Sequence, residues 1–597
     1  MSIRTEPSLP SIVDRGRIRL AGRLMMGLFA LAAFSQAKLQ IFEREATTRL
    51  AAKQGKYLIT RVERAKRGSI FTADGKAIAK DEDSFELTLT YKDCPDLDSF
   101  YVDLSAASDI PVSELRPEEG QRRKNWKTAI TAREADAIRQ VKVSWRADGV
   151  SLDRAGHRAY TLGDSASGII GMVQDGTPFS GMEYSQRKLL TGKDGSQRGL
   201  TDRQGAFLPM RLETPVRRQD GKDITLTLDS EIQMAASSAL RAAVEQNRAE
   251  NGVAIVMNPA TGDILAMANW PSFSPTENSG TSVDLRKNSG LNPAYMSILE
   301  PGSTFKILTL AKALDSGKVL MSDRVNCMGS LAIGKSGRIH CASHHGVPPA
   351  HHLVDAEKAI ALSCNVSAAT WALKVGREDF IGYVKALGLL KRSHLGLSGE
   401  CAGQFSENEY AKSLQLASIG FGQSISCTPI GLASAFCMIG NGGVRPEARL
   451  IDQVGGETQL RSGGTRMVKP ETASGVMRCM EAVIDSDAGT GKSLRIPGYR
   501  LAGKTGTAQK ISKKESGYVS NFVGFVPAVA PKAMILVMIN HPQAGLYYGA
   551  AVAGPVFKQL AESVIQRYGI APTEPVTRRV TAVRPKELSA MGARIGR

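Results

Sequence analysis

Residues 300–306 have the sequence EPGSTFK, and this stretch places a serine at the start of a helix. The pair Pro301-Gly302 is typical of a turn, and the apolar run at 307–314 predicts the helix itself. Lys306 follows Ser303 by three residues, so both side chains lie on the same helix face. A neutral lysine amine at this spacing can accept the proton of the hydroxyl, which predicts a nucleophilic serine and its base.

The Ser-x-x-Lys spacing is weak evidence on its own, because the chain contains it a second time, at Ser185 and Lys188. This second pair has no turn before it and no apolar helical run after it. We therefore interpret Ser303 as the nucleophile and Ser185 as an ordinary structural serine.

A second polar element, Ser363-Cys364-Asn365, lies between two predicted helices. A helical run that Asp355 caps precedes it, and a run at 366–375 follows it. The three residues therefore form a predicted rigid bend, in which the serine can relay a proton and the asparagine can donate and accept hydrogen bonds. The competing Ser-x-Asn at 406–408 lacks this setting.

The third element, Lys504-Thr505-Gly506-Thr507, occurs once and predicts a strand at the edge of a sheet. Gly506 has no side chain, so an acyl substrate can lie against the strand backbone. Lys504 supplies positive charge, and the hydroxyls of Thr505 and Thr507 can bind a carboxylate. The alternative is an ordinary basic strand, which the presence of all three elements in order disfavours.

Apolar runs around these elements indicate the fold class. Four of them, bounded by turn residues, predict strands at 253–257, 264–268, 519–526 and 534–539. Two predicted helices begin at Ser230, which Asp229 caps, and at Pro555. Strands at both ends with helices between them predict an α+β fold over residues 221–570, a mostly antiparallel sheet covered by helices.

The regions on either side of this domain have a different composition. Short strand-like runs alternate with Gly-, Asp- and Arg-rich turns, which predicts a strand-rich accessory domain over residues 43–220. Residues 571–597 are rich in Pro, Thr and Arg and predict a disordered basic tail.

An apolar segment near the N-terminus predicts a membrane anchor or a signal peptide. Arginines precede it, and it extends over residues 22–42 if the Lys38 side chain reaches the interface. The arginines place residues 1–21 in the cytoplasm and the later domains outside it. We expect an uncleaved single-pass anchor in the cytoplasmic membrane, although Ser35-Gln36-Ala37 also fits a peptidase cleavage site.

The formal net charge of +18 indicates an anionic neighbour, such as a lipid surface, an anionic polymer or a nucleic acid. The sequence contains no recognition helix, zinc-finger spacing or ribonucleoprotein motif, so we do not expect a nucleic acid partner.

Eight cysteines are scattered without a repeated Cys-x-x-Cys, which argues against a zinc ribbon or a dense disulfide scaffold. Cys327 and Cys341, followed by His344 and His345, leave two possibilities open: a disulfide-closed hairpin or a metal site. The long first spacing and the lack of an evident fourth ligand disfavour the metal site.

Together the three elements match the signature of the penicillin-recognising serine enzymes. Further blocks resemble class B penicillin-binding proteins: residues 302–306, 489–491, 502–510 and 521–525. Arg67-Gly68-Ser69-Ile70 is similar to the entry motif of their pedestal domain, so the resemblance extends from the anchor to about residue 570. Residues 71–73 depart from the usual Asp-Arg pair of that motif, and Cys364 occupies a position often filled by serine.

The resemblance implies D,D-transpeptidation without a metal or a cofactor. It assigns Ser303 as nucleophile, Lys306 as its base, Ser363 as proton relay and Asn365 as the group that orients Lys306 and the substrate amide. It assigns Lys504, Thr505 and Thr507 to the terminal carboxylate of the substrate or its β-lactam mimic, and Gly506 to the same substrate- and β-lactam-binding strand. The backbone N–H groups of Ser303 and Thr507 form the implied oxyanion hole. The Cys364 thiol is expected to pack inertly.

The implied substrates are peptidoglycan stem peptides, with β-lactams as inhibitors and a membrane glycosyltransferase and other division proteins as partners. The size, the single anchor, Lys510 and the lack of a glycosyltransferase domain favour a septal enzyme. An elongation-type transpeptidase is the nearest alternative. A D,D-carboxypeptidase or a β-lactamase fits the long accessory domain less well. The short N-terminal tail disfavours a β-lactam sensor, and the complete set of catalytic residues disfavours a non-catalytic divisome scaffold.

Overall fold

The computed structural model describes most of the chain, including every element of the predicted site. The described residues are 15–38, 41, 43, 58–174, 176–201, 207–211, 215–275, 292–334, 337–342, 347–405, 412–511 and 516–575. His344, His345, the Ser-x-Asn at 406–408 and the tail beyond residue 575 lie outside these residues. The chain divides into two compact units, Met1–Lys66 with Gly192–Asp220, and Arg67–Thr191 with Gly221–Arg597.

The smaller unit contains the predicted anchor and a small antiparallel sheet. The anchor is the helix Arg15–Ala37, and its segment Arg19–Ala37 is long and apolar enough to cross a membrane. The sheet has three strands, in the order Leu58–Glu63, Gly195–Thr201 and Phe207–Arg211.

The larger unit contains a seven-stranded sheet near its N-terminal part. Along the sheet the strands are Glu457–Thr458, Ile451–Val454, Ile224–Leu226, Ile70–Phe71, Ala77–Thr90 and Arg123–Ile130, and Val150–Tyr160 also pairs with Ala77–Thr90. Ile224–Leu226 runs parallel to Ile70–Phe71 and antiparallel to Ile451–Val454. This strand therefore joins chain segments that are far apart in sequence into one sheet.

Helices and short turns cover this part of the unit. They are Tyr91–Asp93, Asp98–Ser108, Val112–Leu115, Ala132–Trp145, Gly163–Ser165, Ser167–Ile170, Gly181–Ser185 and Arg187–Leu190, with a hairpin of Val173–Gln174 and Thr177–Pro178. The helix Ala132–Trp145 begins at a capping box, in which Thr131 and Glu134 satisfy each other's backbone N–H groups.

A buried ion network fixes the motif Arg67-Gly68-Ser69-Ile70 that the sequence singled out. Arg67 Nε lies 2.6 Å from Glu183 Oε2, and Arg158 Nε lies 2.8 Å from Glu183 Oε1. Arg158 also donates to Asp81 Oδ1 and to the Gly68 carbonyl oxygen. Because the Glu183 side chain is fully buried, its charge is stabilised by these two guanidinium groups.

The main sheet has five antiparallel strands. Their order is Ile264–Trp270, Asn251–Met257, Ala533–Asn540, Ser516–Val526 and Ala502–Ile511. The predicted α+β fold with a mostly antiparallel sheet is confirmed, and the Lys-Thr-Gly strand lies at the sheet edge as predicted. We call Ala502–Ile511 the edge strand.

The main sheet is buried on both faces. Successive side chains of a strand point to opposite faces, so a strand whose residues are all buried is covered on both sides. All residues of its central strand, Ala533–Asn540, are buried. Met534 and Leu536 belong to one hydrophobic core, whereas Ile535 and Val537 belong to a second core on the opposite face. The sheet therefore lies between two layers of helices.

The helices of this region surround the sheet. They are Ser230–Gln246, Pro293–Met296, Lys306–Asp315, Ala356–Ala361, Asn365–Val375, Arg377–Ala386, Lys412–Ile419, Pro429–Gly440, Pro470–Asp485, Gly549–Val552 and Gly554–Arg567, with 3₁₀ turns at Gly302–Phe305 and Lys492–Leu494. Ser230–Gln246 and Gly554–Arg567 contribute to the second core, and Lys306–Asp315 and Pro429–Gly440 contribute to the first.

Three further pairs of short strands lie outside the main sheet. Val325–Cys327 pairs with His352–Val354, Ser330–Ile333 pairs with Gly337–His340, and Val444–Arg445 pairs with Thr465–Arg466. At the C-terminal end of the described chain, Thr573 and Glu574 donate backbone hydrogen bonds to the carbonyl oxygen of Gly498.

Candidate active site

Ser303 lies in the 3₁₀ turn Gly302–Phe305, directly before the helix Lys306–Asp315. Gly302 has a φ of +57°, a left-handed conformation that favours glycine, and its N–H donates to the Gly422 carbonyl oxygen. Asn521 Nδ2, from the main sheet, donates to the Pro301 carbonyl oxygen at 3.2 Å. The turn that presents the serine is therefore held from two sides, and the predicted turn-to-helix setting is confirmed.

Lys306 is fully buried at the start of this helix. Its Nζ donates to the Ser363 carbonyl oxygen at 2.6 Å and to Ser363 Oγ at 3.0 Å. Burial disfavours the charged amine and lowers the pKa of Lys306 to about 8. A substantial fraction of this lysine is therefore neutral near physiological pH, as a general base must be.

Ser363 lies at the bend between the helices Ala356–Ala361 and Asn365–Val375, as the sequence predicts. Its φ of +57° is rare for a residue with a side chain. In this conformation Ser363 Oγ accepts from Lys306 Nζ and, at 2.9 Å, from Lys504 Nζ. One hydroxyl thus connects two lysines that are far apart in sequence.

Lys504 is fully buried in the edge strand. Besides its contact with Ser363, its Nζ donates to the Thr505 carbonyl oxygen at 2.8 Å. Burial, followed by the nearby charge of Lys306, lowers the pKa of Lys504 well below its usual range. A bound carboxylate would offset this effect by favouring the charged amine.

The hydroxyl groups of the edge strand lie in a small polar network. Thr505 Oγ1 lies 3.0 Å from Thr490 Oγ1, and Thr507 Oγ1 accepts from the Gly549 N–H at 3.2 Å. Thr490 belongs to the block 489–491 that resembles the family, but no motif of the sequence indicated a role for it in the site.

The structure provides a second reason for a glycine at position 506. A Cβ atom there would lie 1.8 Å from Asn521 Oδ1 on the neighbouring strand. Gly506 is therefore required by the packing of Asn521 as well as by the proposed approach of substrate to the backbone.

Asn365 begins the helix after the bend, and its Nδ2 donates to the His340 carbonyl oxygen at 2.7 Å. The resemblance assigns Asn365 to the orientation of Lys306, whereas the Lys306 amine donates to the carbonyl oxygen and Oγ of Ser363. Asn365 therefore ties the bend to the strand Gly337–His340, a contact that the sequence pattern did not indicate.

A cavity of about 450 Å³ opens above these groups. Seven predicted or neighbouring site residues line it: Gly302, Ser303, Ser363, Asn365, Thr505, Gly506 and Thr507. The cavity wall also contains residues that the sequence did not indicate, among them Gln423, Tyr518, Tyr547 and Tyr548. Tyr518 and Tyr547 are stacked with ring centroids 4.2 Å apart, and no motif of the sequence marks them.

The second Ser-x-x-Lys pair lies elsewhere and has structural contacts. Ser185 Oγ donates to the Gly181 carbonyl oxygen at 2.7 Å and accepts from the Ser398 N–H at 2.7 Å. These bonds satisfy the hydroxyl, which agrees with a structural serine.

The three predicted elements thus meet around one cavity. A partly exposed serine opens a helix, a lysine of lowered pKa lies one turn away, and a second serine connects it to the lysine of the edge strand. Such an arrangement can generate a serine nucleophile, transfer protons and bind a carboxylate.

Comparisons with known proteins identify the domains of this chain. Residues 252–562 match the model of the penicillin binding protein transpeptidase domain, and residues 62–178 match that of the penicillin-binding protein dimerisation domain. The chain is 29% identical to the probable peptidoglycan D,D-transpeptidase PenA of Neisseria gonorrhoeae, over 93% of this chain and 94% of the relative. It is 30% identical to the peptidoglycan D,D-transpeptidase FtsI of Escherichia coli, over 73% and 71%.

Among solved structures, penicillin binding protein 3 of Mycobacterium tuberculosis, complexed with aztreonam, has a similar fold. The TM-score is 0.64 at 24% identity, and the match covers 86% of this chain and 99% of that one. The transpeptidase model alone covers more than half of the chain. This chain therefore belongs to the class B penicillin-binding proteins, serine acyltransferases of the peptidoglycan D,D-transpeptidase family.

Proposed function

We propose that this chain cross-links peptidoglycan stem peptides at the division septum through an acyl-Ser303 intermediate. The observation that carries the proposal is the position of Ser363 Oγ, between the amines of Lys306 and Lys504 and on the wall of the cavity that Ser303 also lines. Lys306 accepts the Ser303 proton, and Ser363 passes a proton to the departing D-alanine amine.

The edge strand, together with Ser303 and Asn365, binds the substrate and stabilises the transition state. Lys504, Thr505 and Thr507 bind the terminal carboxylate of the stem peptide, and Gly506 lets the peptide lie against the backbone. The backbone N–H groups of Ser303 and Thr507 form the oxyanion hole, where a donor is typically worth about 3 kcal/mol in the transition state. Asn365, which also lines the cavity, orients the substrate amide.

Transfer to a second strand completes the reaction. The acyl-serine carbonyl is attacked by the amine of a neighbouring stem peptide, which forms the cross-link amide and restores the Ser303 hydroxyl. A β-lactam carries a similar carbonyl and carboxylate, and the Mycobacterium tuberculosis relative is a complex with aztreonam. We therefore expect β-lactams to acylate Ser303.

The membrane location rests on the helix Arg15–Ala37 and on the arginines that precede its apolar part. Positive residues favour the cytoplasmic side, so the helix is proposed as an uncleaved anchor with the catalytic domain outside the cytoplasm. A membrane glycosyltransferase and other division proteins are the proposed partners, because the relatives include FtsI enzymes.

Covalent labelling tests the proposed nucleophile. Full-length protein in detergent should form a long-lived adduct with fluorescent penicillin, and mass spectrometry should locate it on Ser303. Ser303→Ala should abolish the label, whereas the matched variant Ser185→Ala should retain it. Labelling that survives Ser303→Ala would overturn the mechanism, and rapid loss of the adduct would indicate a hydrolase.

A further inference from the structure

Three cysteines and one histidine lie together beside the active-site cavity, whose wall includes the histidine, His351, and we call the four residues the thiol cluster. Cys327 Sγ is 3.5 Å from Cys341 Sγ and 3.4 Å from His351 Nδ1. Cys341 Sγ is 3.6 Å from His351 Nδ1 and 3.8 Å from Cys364 Sγ. All four atoms lie within 4.8 Å of one another.

These distances match the edges of a tetrahedral metal site. Ligand bonds of about 2.3 Å to sulfur and about 2.0 Å to nitrogen place two sulfurs about 3.8 Å apart and a sulfur and a nitrogen about 3.5 Å apart. A disulfide needs its sulfurs at about 2.05 Å, much closer than the 3.5 Å between Cys327 and Cys341. The geometry therefore favours ligation over a covalent bridge.

The four ligands come from separate short elements. Cys327 ends the strand Val325–Cys327, and Cys341 follows the strand Gly337–His340. His351 precedes the strand His352–Val354, and Cys364 caps the helix Asn365–Val375. The fold thus brings together residues that the sequence pattern did not connect, since the sequence indicated His344 and His345 as candidate partners.

The surroundings of the thiol cluster suit a cation held by thiolates. The three cysteines are at most 3% exposed. Buried thiolate charges need a cation to compensate the loss of hydration. The Ser367 N–H also points to Cys364 Sγ at 3.4 Å, the kind of backbone contact that stabilises a ligating sulfur.

We propose that Cys327, Cys341, Cys364 and His351 bind one zinc ion. Three soft sulfur ligands and one imidazole in tetrahedral arrangement select Zn²⁺ among the common divalent ions. Four protein ligands complete the coordination shell, which is typical of a structural site. On binding, each of the three thiols gives up its proton to solvent.

The zinc ion would act as a positioning device for the active site. Cys364 stands between Ser363 and Asn365, and Asn365 Nδ2 donates to the residue before Cys341. Coordination of Cys364 and Cys341 therefore ties the bend that carries Ser363 to the neighbouring strand. This consequence rests on the proposed function, whereas zinc binding itself does not.

Metal analysis of the full-length protein in detergent tests the site directly. We expect about one zinc per chain, and replacement by Co²⁺ should produce the visible d–d bands and the sulfur-to-cobalt charge transfer of a tetrahedral thiolate site. A zinc-free protein that also fails to bind added Zn²⁺ would overturn the proposal. A Cys327–Cys341 disulfide found by non-reducing peptide mapping would overturn it as well.

Variants separate the site from general effects on folding. Cys327→Ser should lose the metal, whereas Cys437→Ser, at another fully buried free cysteine, should retain it. His351→Ala should lose zinc and His351→Cys should restore it, because cysteine also ligates zinc. Zinc loss should slow acylation by fluorescent penicillin about tenfold. Equal zinc content in the wild type and in both Cys327→Ser and His351→Ala would contradict the assignment.

Discussion

At the scale of single residues, the two buried lysines determine how the site titrates. Lys306 and Lys504 both donate to the Ser363 hydroxyl, and the charge of Lys306 adds to burial in lowering the pKa of Lys504. For Lys306 itself, burial is the cause that lowers the pKa, and it keeps the serine's base partly neutral. The arrangement was not visible in the Ser-x-x-Lys spacing, because the second lysine comes from an element about 200 residues away.

The lowered pKa of Lys306 predicts a pH dependence of acylation. A lysine loses its proton above its pKa, so the neutral base becomes more abundant as the pH rises through about 8. The rate constant for labelling by fluorescent penicillin should rise about tenfold per pH unit below that value and level off above it. Lys306→Arg should not label at any pH, because arginine stays charged. A rate constant that falls with rising pH would contradict the assignment of the base.

At the scale of elements, the edge strand depends on a close fit with its neighbour. Gly506→Ala would place a Cβ atom against Asn521 Oδ1, and Asn521 holds the Pro301 carbonyl oxygen of the serine turn. We expect this variant to lose most penicillin labelling and to melt at a lower temperature. The substitution therefore tests whether strand packing and nucleophile position are coupled.

Gly382→Ala is the matched control for this substitution. Gly382 lies on the exposed side of the helix Arg377–Ala386, and a Cβ atom there would meet nothing within 4 Å. Alanine should stabilise that helix by up to about 1 kcal/mol and leave labelling unchanged. Equal behaviour of the two variants would show that the contact with Asn521 has no role.

The buried ion network is the second element whose strength can be measured. Glu183→Ala leaves Arg67 and Arg158 without their shared carboxylate, and removal of one partner from a buried pair typically costs about 3–5 kcal/mol. The exposed pair of Asp136 and Arg139 is the control, since Asp136→Ala should cost less than about 1 kcal/mol. Denaturant unfolding followed by tryptophan fluorescence measures both, and similar losses would contradict a dominant role for burial.

At the scale of the whole molecule, the chain combines an N-terminal helix that is long and apolar enough to cross a membrane with two domains of the penicillin-binding proteins. A fluorescent protein fused to the N-terminus should remain attached to the full-length chain and collect at mid-cell before division, if the anchor is uncleaved and the enzyme is septal. Fluorescence along the lateral wall would favour the elongation-type alternative. A fusion cut near Ala37 would show that the segment is a signal peptide.

The sequence by itself determined the local features of the site and most of the fold. A Pro-Gly turn, an Asp cap and an apolar run bounded by turn residues each act within a few residues, so the Ser303 turn, the helix after Asp355 and four strands of the main sheet could be predicted from them. The order of the three motifs was sufficient to indicate the family and its chemistry.

Only the tertiary structure decided which distant groups meet. Three of these contacts join different elements. The Ser363 hydroxyl accepts from two lysines, the Asn521 side chain leaves no room for a Cβ atom at position 506, and Asn365 donates to His340. The same holds for the thiol cluster, in which His351 and Cys364 complete the pair Cys327 and Cys341. Long-range contacts of this kind depend on how sheets and helices pack, and this packing cannot be predicted from the spacing of residues along the chain.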